Sequence, residues 1–114
     1  MFFGFGFGKS AQVKNIAPPE AHRMAADGQV LLVDVREAHE WAQGHVPGAF
    51  HAPLSTLHMT ATKIPTDKQV VFYCLAGGRS AKAVEVCQKM GLPHDTHIPG
   101  GFGAWRMHGL PVQM

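Results

Sequence analysis

Cysteine is scarce in this sequence, whose 114 residues include only Cys74 and Cys87. So few cysteines cannot supply the disulfide framework of a small secreted domain, and a reducing, cytoplasmic location is therefore expected. Clusters of basic residues are also absent, since ten Lys and Arg and eight Asp and Glu are scattered along the chain. A nucleic-acid partner is therefore not expected, whereas the net charge of +2 suits small anions.

Long hydrophobic segments are missing as well. The first eleven residues carry a short alternation of Phe and Gly that ends at Lys9, which matches neither a membrane span nor a signal peptide. Because each glycine costs conformational entropy and contributes no side chain to packing, residues 1–11 are predicted to form a flexible Phe/Gly tail. A docking or self-association segment is the alternative. Residues 12–114 are long enough for one domain.

The sequence also lacks a group of residues with the spacing of metal ligands. The closest pair among the eight histidines is His94 and His97, and no cysteine or carboxylate joins this pair at ligand spacing. We therefore predict neither a metal site nor a cofactor.

Two continuous apolar segments, residues 30–35 and 70–73, are rich in β-branched side chains. This pattern is typical of strands that are covered on both faces, as in a parallel sheet. Shorter strands are predicted at residues 12–16 and 96–98, and helices at 18–26, 37–43, 53–63, 79–90 and 102–108. The alternation of strands and helices predicts an α/β fold with a mainly parallel central sheet of about five strands and helices on both faces.

Cys74 lies where a buried strand ends and a glycine-containing loop leads into a helix. Gly77 and Gly78 allow the backbone to curl so that successive N–H groups point inward, and the helix start adds unpaired N–H groups and its positive dipole end. Arg79 adds a permanent cation nearby. Such a cradle stabilises an anion, so the pKa of Cys74 is predicted to lie below the free value of about 8.5.

The alternative role for either cysteine is packing as a small apolar side chain. For Cys74 this alternative leaves the Gly-Gly-Arg-Ser that follows without an explanation. For Cys87 it is the expected role, because this residue lies about 12 Å along the helix from its start, whereas a disulfide needs Cα atoms within about 7 Å.

Four motifs in order resemble the rhodanese homology domain, of the single-domain thiosulfate sulfurtransferase type. They are Asp-Val-Arg-Glu at residues 34–37, Gly-His-Val-Pro-Gly-Ala at 44–49, Cys-Leu-Ala-Gly-Gly-Arg-Ser at 74–80, and Gly-Gly-Phe-Gly-Ala-Trp at 100–105 with Gly109 and Pro111. The resemblance covers about residues 12–112, and four motifs in the right order make it specific.

The resemblance implies a thiolate at Cys74 that takes the outer sulfur of a small anionic donor such as thiosulfate, holds it as a persulfide, and passes it to cyanide or a thiol. It also implies that the substrate-binding loop consists of Leu75, Ala76, Gly77, Gly78, Arg79 and Ser80, in which the amides bind the anion and Arg79 supplies charge. Asp34 and Arg36, near the end of a neighbouring strand, support the loop, and whether they also contact substrate stays open.

Two alternatives remain. One is a sulfur-relay or binding module whose donor or acceptor is a partner protein. The other is an enzyme related to dual-specificity phosphatases and arsenate reductases, whose loop signature has five residues between cysteine and arginine, whereas four separate Cys74 from Arg79. Tyr73 also stands where those phosphatases have His, and a shorter loop suits one sulfur atom better than a tetrahedral phosphate.

Overall fold

The computed structural model describes residues 12–114, so the predicted Phe/Gly tail at residues 1–11 lies outside the described residues. The sheet contains five strands, β1 (Lys14–Asn15), β2 (Val30–Asp34), β3 (Phe50–His51), β4 (Gln69–Tyr73) and β5 (Thr96–His97). Their order across the sheet is β1-β5-β4-β2-β3, and every neighbouring pair is parallel. The predicted α/β fold with a parallel sheet of about five strands is confirmed.

The register of the two central strands places their carboxyl ends side by side. Asp34, the last residue of β2, is paired with Tyr73, the last residue of β4. The segments that follow these two strands therefore leave the sheet at the same edge, which is where ligands of open parallel sheets usually bind.

Helices cover both faces of this sheet, as predicted. They are α1 (Pro18–Ala26), α2 (Ala38–Ala42), α3 (Leu57–Thr60), α4 (Gly78–Lys89) and α5 (Gly101–Met107). Side chains alternate along β4, so that Val70 and Phe72 join one core with residues of α3 and α4, whereas Val71 and Tyr73 join a second core with residues of α1 and α5. Two apolar layers thus fix the sheet between the helices.

The prediction of one continuous helix at residues 53–63 is wrong. The segment forms a 3₁₀ turn at Leu54–Thr56, the four-residue helix α3, and a second 3₁₀ turn at Ala61–Lys63. The breaks fall at Thr56 and Thr60, where φ is −120° and −109°. Threonine is β-branched and a weak helix former, and the Thr60 hydroxyl donates a hydrogen bond to the carbonyl of Thr56.

Two strands are shorter than predicted. The strand expected at residues 12–16 is reduced to two residues at the sheet edge, where β5 is its single neighbour, and β5 itself spans two residues. Among residues 12–114, no helix is both long enough and apolar enough to cross a membrane.

The core between the sheet and α3 offers a stability test. Leu57 is completely buried, whereas Met59 of the same short helix is 63% exposed. We expect Leu57→Ala to lower the free energy of unfolding by roughly 2–5 kcal/mol, because it removes apolar contacts and leaves a cavity. Met59→Ala should change it by less than about 0.5 kcal/mol. Urea unfolding of both variants measures the difference, and equal losses would contradict the assigned core.

Candidate active site

The sulfur of Cys74 lies inside the turn that connects β4 to α4. The amide of Gly77 donates a hydrogen bond to Sγ at 3.1 Å, and the amide of Ser80 donates a second at 3.4 Å. The Ser80 hydroxyl lies 3.6 Å from the same sulfur. Cys74 is only 1% exposed, so its sulfur is both buried and surrounded by hydrogen-bond donors.

Two opposing influences act on the ionisation of this thiol. Burial is the largest and acts to raise the pKa of Cys74, because it removes water from the thiolate. Hydrogen bonds from the Ser80 hydroxyl and from the amides of Ser80, Gly77 and Ala76 act in the opposite direction, and together they hold the pKa below its usual value. Cys87 shows the effect of burial without such donors, since its pKa is raised to about 11.

Further amides of the loop are available to an anion. The N–H groups of Leu75, Gly78 and Arg79 make no backbone hydrogen bond within residues 12–114. Gly78 and Arg79 belong to the first turn of α4, a helix of 12 residues, so the positive end of the helix dipole lies at the same place. A negative charge on or beside the sulfur therefore finds unsatisfied donors.

The curl of the loop depends on close backbone packing. Gly77 has a φ of +109°, and a Cβ at this position would overlap the carbonyl oxygen of Pro99. Gly101 has a φ of +60°, and a Cβ there would lie 2.5 Å from the carbonyl oxygen of Cys74. Both positions therefore require glycine.

The start of α5 holds the other side of the loop. The amide of Phe102 donates to the carbonyl of Cys74 at 2.7 Å, and the amide of Gly103 donates to the carbonyl of Leu75 at 3.0 Å. These bonds direct the carbonyls of Cys74 and Leu75 to α5. The following amides are left free to face the sulfur.

The side chain of Arg79, near the sulfur, forms an ion pair with an acidic residue. Its two terminal nitrogens donate to the two carboxylate oxygens of Glu40 in α2, at 2.6 Å and 3.0 Å. This contact is the main cause that lowers the pKa of Glu40 to about 2. Sequence reasoning missed Glu40, because 39 residues separate it from Arg79 and no local pattern links them.

Asp34 and Arg36 form a buried ion pair at the end of β2. The guanidinium binds both carboxylate oxygens of Asp34, at distances of 2.8–3.1 Å, and it also donates to the carbonyl of Gly44 at 2.7 Å. It lies 4.3 Å from the centre of the Phe102 ring. The pair thus contacts α5, the helix that holds the loop, and both carboxylate oxygens of Asp34 accept hydrogen bonds from Arg36.

A cavity of about 220 Å³ opens beside the loop. Its lining consists of Arg36, Glu40, Gln43, Gly44, Leu75, Phe102 and Arg106. Leu75 is 48% exposed at its border, and Arg106 forms no ion pair among the described residues. The cavity therefore offers space and one uncompensated cation next to the loop.

His97 contacts the site from β5. Its Nδ1 lies 2.7 Å from the hydroxyl oxygen of Ser80, and the residue is 5% exposed. Sequence reasoning weighed His97 only as a metal ligand with His94 and missed this contact, because nothing in the sequence pairs it with Ser80. Within residues 12–114, no group of three His, Cys, Asp or Glu side chains is arranged to hold a metal ion.

Comparisons with known proteins match most of this chain. The family model of the rhodanese-like domain matches residues 17–108. A sulfurtransferase of Allochromatium vinosum is 38% identical over 92 residues, which cover 81% of this chain and 86% of that protein. The probable adenylyltransferase/sulfurtransferase MoeZ of Mycobacterium tuberculosis is 35% identical over 106 residues, 90% of this chain but 27% of that protein.

The solved structures include a Rhodopseudomonas palustris protein of unknown function, described as a possible tyrosine phosphatase. It is 33% identical to this chain, with a TM-score of 0.78. The match covers 89% of this chain and 85% of that one. Proteins similar to this chain therefore carry names from two different classes of enzyme.

Two neighbouring glycines test the backbone packing of the loop. Gly77→Ala should lower the free energy of unfolding by about 1–3 kcal/mol and raise the pKa of Cys74, because the new Cβ displaces the loop. Gly78→Ala is the matched control, since a Cβ there would meet no atom within 4 Å apart from its chain neighbours and the backbone of its own helix. Denaturant unfolding and thiolate absorbance measure both variants. Equal behaviour of the two would contradict the packing of Gly77 on Pro99.

The pair between Glu40 and Arg79 predicts a pH-dependent stability. Because the pKa of Glu40 is lowered to about 2, its contribution is complete above its unfolded value of 4.5 and is lost as the pH falls through 2. Glu40→Gln should therefore lower the free energy of unfolding by about 1 kcal/mol at neutral pH. The difference from wild type should vanish below a pH of about 2.

Glu85→Gln is the control for this measurement, since it breaks the exposed pair with Lys82 on α4. Its effect on the unfolding curves should be smaller than that of Glu40→Gln. A difference between wild type and Glu40→Gln that is independent of pH would contradict the ion pair.

Proposed function

The chain belongs to the rhodanese-like domain family, and on this premise we propose that it is a sulfurtransferase that carries a sulfane sulfur on Cys74. The observation that supports this role most directly is the sulfur of Cys74 beneath the amides of Gly77 and Ser80, at 3.1 Å and 3.4 Å. These donors favour the thiolate, which is the form that attacks sulfur.

In the first half-reaction, the thiolate of Cys74 attacks the outer sulfur of thiosulfate or of another persulfide donor. A new S–S bond forms, the S–S bond of the donor breaks, and the electron pair leaves with sulfite or with the donor thiolate. The outer sulfur of the resulting persulfide carries negative charge. The free amides of Leu75, Gly78 and Arg79 are available to stabilise it.

In the second half-reaction, cyanide or a thiolate attacks the outer sulfur. The S–S bond to Cys74 breaks, thiocyanate or a new persulfide leaves, and the Cys74 thiolate is restored. The cavity beside Leu75 is the space through which an acceptor would approach, and the uncompensated charge of Arg106 suits an anionic one. No cofactor is needed, because each step exchanges one S–S bond for another bond to sulfur.

Phosphoryl transfer fits the site less well. A phosphate carries more than one negative charge and three free oxygens, and it calls for a guanidinium that can bind two of them. The guanidinium of Arg79 is already bound at both ends by Glu40. A loop with four residues between Cys74 and Arg79 is also narrow for a tetrahedral group.

A second candidate function is a sulfur relay, in which a protein persulfide replaces thiosulfate as the donor. The match with MoeZ favours it, because this chain corresponds to about a quarter (27%) of a protein whose name combines two activities. In such an arrangement the rhodanese-like part receives or delivers sulfur within an assembly.

Mass spectrometry of the intact protein tests the proposal. After incubation with thiosulfate, the protein should be heavier by one sulfur atom, and cyanide should remove this mass and release thiocyanate. Cys74→Ser should gain no sulfur. Cys87→Ala is the matched control and should load like wild type, because Cys87 is completely buried and burial raises its pKa to about 11.

Incubation with different sulfur donors separates the candidate functions. Loading by a cysteine desulfurase with cysteine, but not by thiosulfate, would select the relay. Hydrolysis of an aryl phosphate with no sulfur loading from any donor would overturn the sulfurtransferase proposal and favour a phosphatase.

A further inference from the structure

The hydroxyl group of Ser80 lies among three groups that can accept its proton. Its oxygen is 3.6 Å from Sγ of Cys74, 3.2 Å from the carbonyl oxygen of Gly77 and 2.7 Å from Nδ1 of His97. A hydroxyl has one proton to donate. Ser80 can therefore stabilise the Cys74 thiolate only while its hydroxyl proton is directed to the sulfur. The shortest of the three contacts decides which group receives this proton.

That shortest contact is with an imidazole that has two neutral forms. His97 is 5% exposed, it forms no ion pair among the described residues, and burial lowers its pKa, so the ring is neutral at neutral pH. When Nδ1 is bare, it accepts the Ser80 proton and takes it from the sulfur. When Nδ1 carries the proton, it donates to the Ser80 oxygen, and the Ser80 proton is free for Cys74.

The other ring nitrogen is able to exchange a proton with water. Nε2 of His97 makes no hydrogen bond to another described residue. Within residues 12–114, the one side-chain nitrogen or oxygen that is both sealed from solvent and without a partner is Nε2 of His94. His97 keeps 5% of its exposure, so water is able to approach the ring, and Nε2 is the ring nitrogen left to exchange a proton with it.

We propose that His97 is a positioning residue that, through Ser80, switches the hydrogen bonds of the site as Cys74 changes from thiol to thiolate. The proposal deepens the proposed function, on which its role in sulfur transfer rests. In the thiol state, the S–H group donates to the Ser80 oxygen, the Ser80 hydroxyl donates to Nδ1, and the ring proton is on Nε2. In the thiolate state, Nδ1–H donates to Ser80, and Ser80 donates to the sulfur.

The change between these states balances in protons. The S–H bond breaks and its proton goes to the Ser80 oxygen, the former Ser80 proton goes to Nδ1, and Nε2 releases its proton to water. The ring is neutral before and after, so the net result is one proton moved from Cys74 to solvent without a charged histidine. When the thiolate returns to the thiol, the same steps run in reverse.

Variants of His97 and Ser80 test this coupling through the pKa of Cys74, read from thiolate absorbance after subtraction of the Cys74→Ser signal. Other groups do not ionise in the same pH range, because burial raises the pKa of Cys87 to about 11 and also raises the pKa of Tyr73, the single tyrosine. We expect His97→Leu to raise the pKa of Cys74 and to slow its alkylation at neutral pH roughly tenfold. Without Nδ1–H, the Ser80 hydroxyl turns to the nearer carbonyl oxygen of Gly77, at 3.2 Å, and its hydrogen bond to the thiolate is lost.

The double variant separates coupling from a general structural effect. Ser80→Ala should shift the pKa of Cys74 upward by itself, and adding His97→Leu should then shift it no further. His97→Asn should restore most of the wild-type value, because its amide can donate near the position of Nδ1. Additive effects of the two substitutions, or no rescue by Asn, would overturn the proposal.

His94→Leu is the matched control, since it replaces a histidine that is buried in the same segment but does not contact Ser80. It should leave the pKa of Cys74 unchanged, and a shift as large as that of His97→Leu would overturn the proposal. These readouts do not require sulfur transfer, so failure of the coupling and failure to load sulfur are distinguishable.

A measurement on the wild-type protein needs no variant to fold. Nitrogen NMR shifts of the His97 ring, followed across the titration of Cys74, report which nitrogen carries the proton. We expect the proton to be on Nε2 while Cys74 is a thiol and on Nδ1 once it is a thiolate. A ring whose tautomer stays the same throughout this titration would overturn the proposal.

Discussion

The hydrogen bonds from the amides of Gly77 and Ser80 to Sγ of Cys74 are the interaction on which the candidate site depends. Burial alone makes a thiol harder to ionise, as it does for Cys87, where burial raises the pKa to about 11. At Cys74 the same burial is outweighed by donors, so that the pKa is lowered. The molecule thus contains two buried cysteines with opposite character, and the difference between them is the backbone around the sulfur.

The fold provides this backbone by holding the loop from two sides. The register of β2 and β4 brings their ends together, and the first amides of α5 bind the carbonyls of Cys74 and Leu75. Glycine at positions 77 and 101 permits contacts that a Cβ would block. The Arg36 guanidinium in turn packs on the ring of Phe102 and is neutralised by Asp34, so a buried ion pair supports the helix that shapes the loop.

Charge in the site is distributed unevenly between side chains and backbone. Arg36 and Arg79 each bind a carboxylate, and the positive potential at the sulfur therefore comes mainly from N–H dipoles and the start of α4. Dipoles of this kind are fixed by the fold and stabilise a thiolate and a persulfide in the same place. In the proposed function, the sulfur atom can then be accepted and released without rearrangement of the protein.

The sequence by itself determined the α/β class and the two central strands. It also determined the position of Cys74 at the end of a buried strand and the glycine-rich loop after it. These features follow from local patterns of apolar, β-branched and glycine residues. It also predicted a long helix at residues 53–63 that the threonines interrupt. Only the tertiary structure decided that Arg79 binds Glu40, that Asp34 forms a buried ion pair with Arg36, and that His97 contacts Ser80. The partners of Arg79 and Ser80 lie 39 and 17 residues away in the chain, and their contacts depend on how helices and strands pack, which no local pattern encodes.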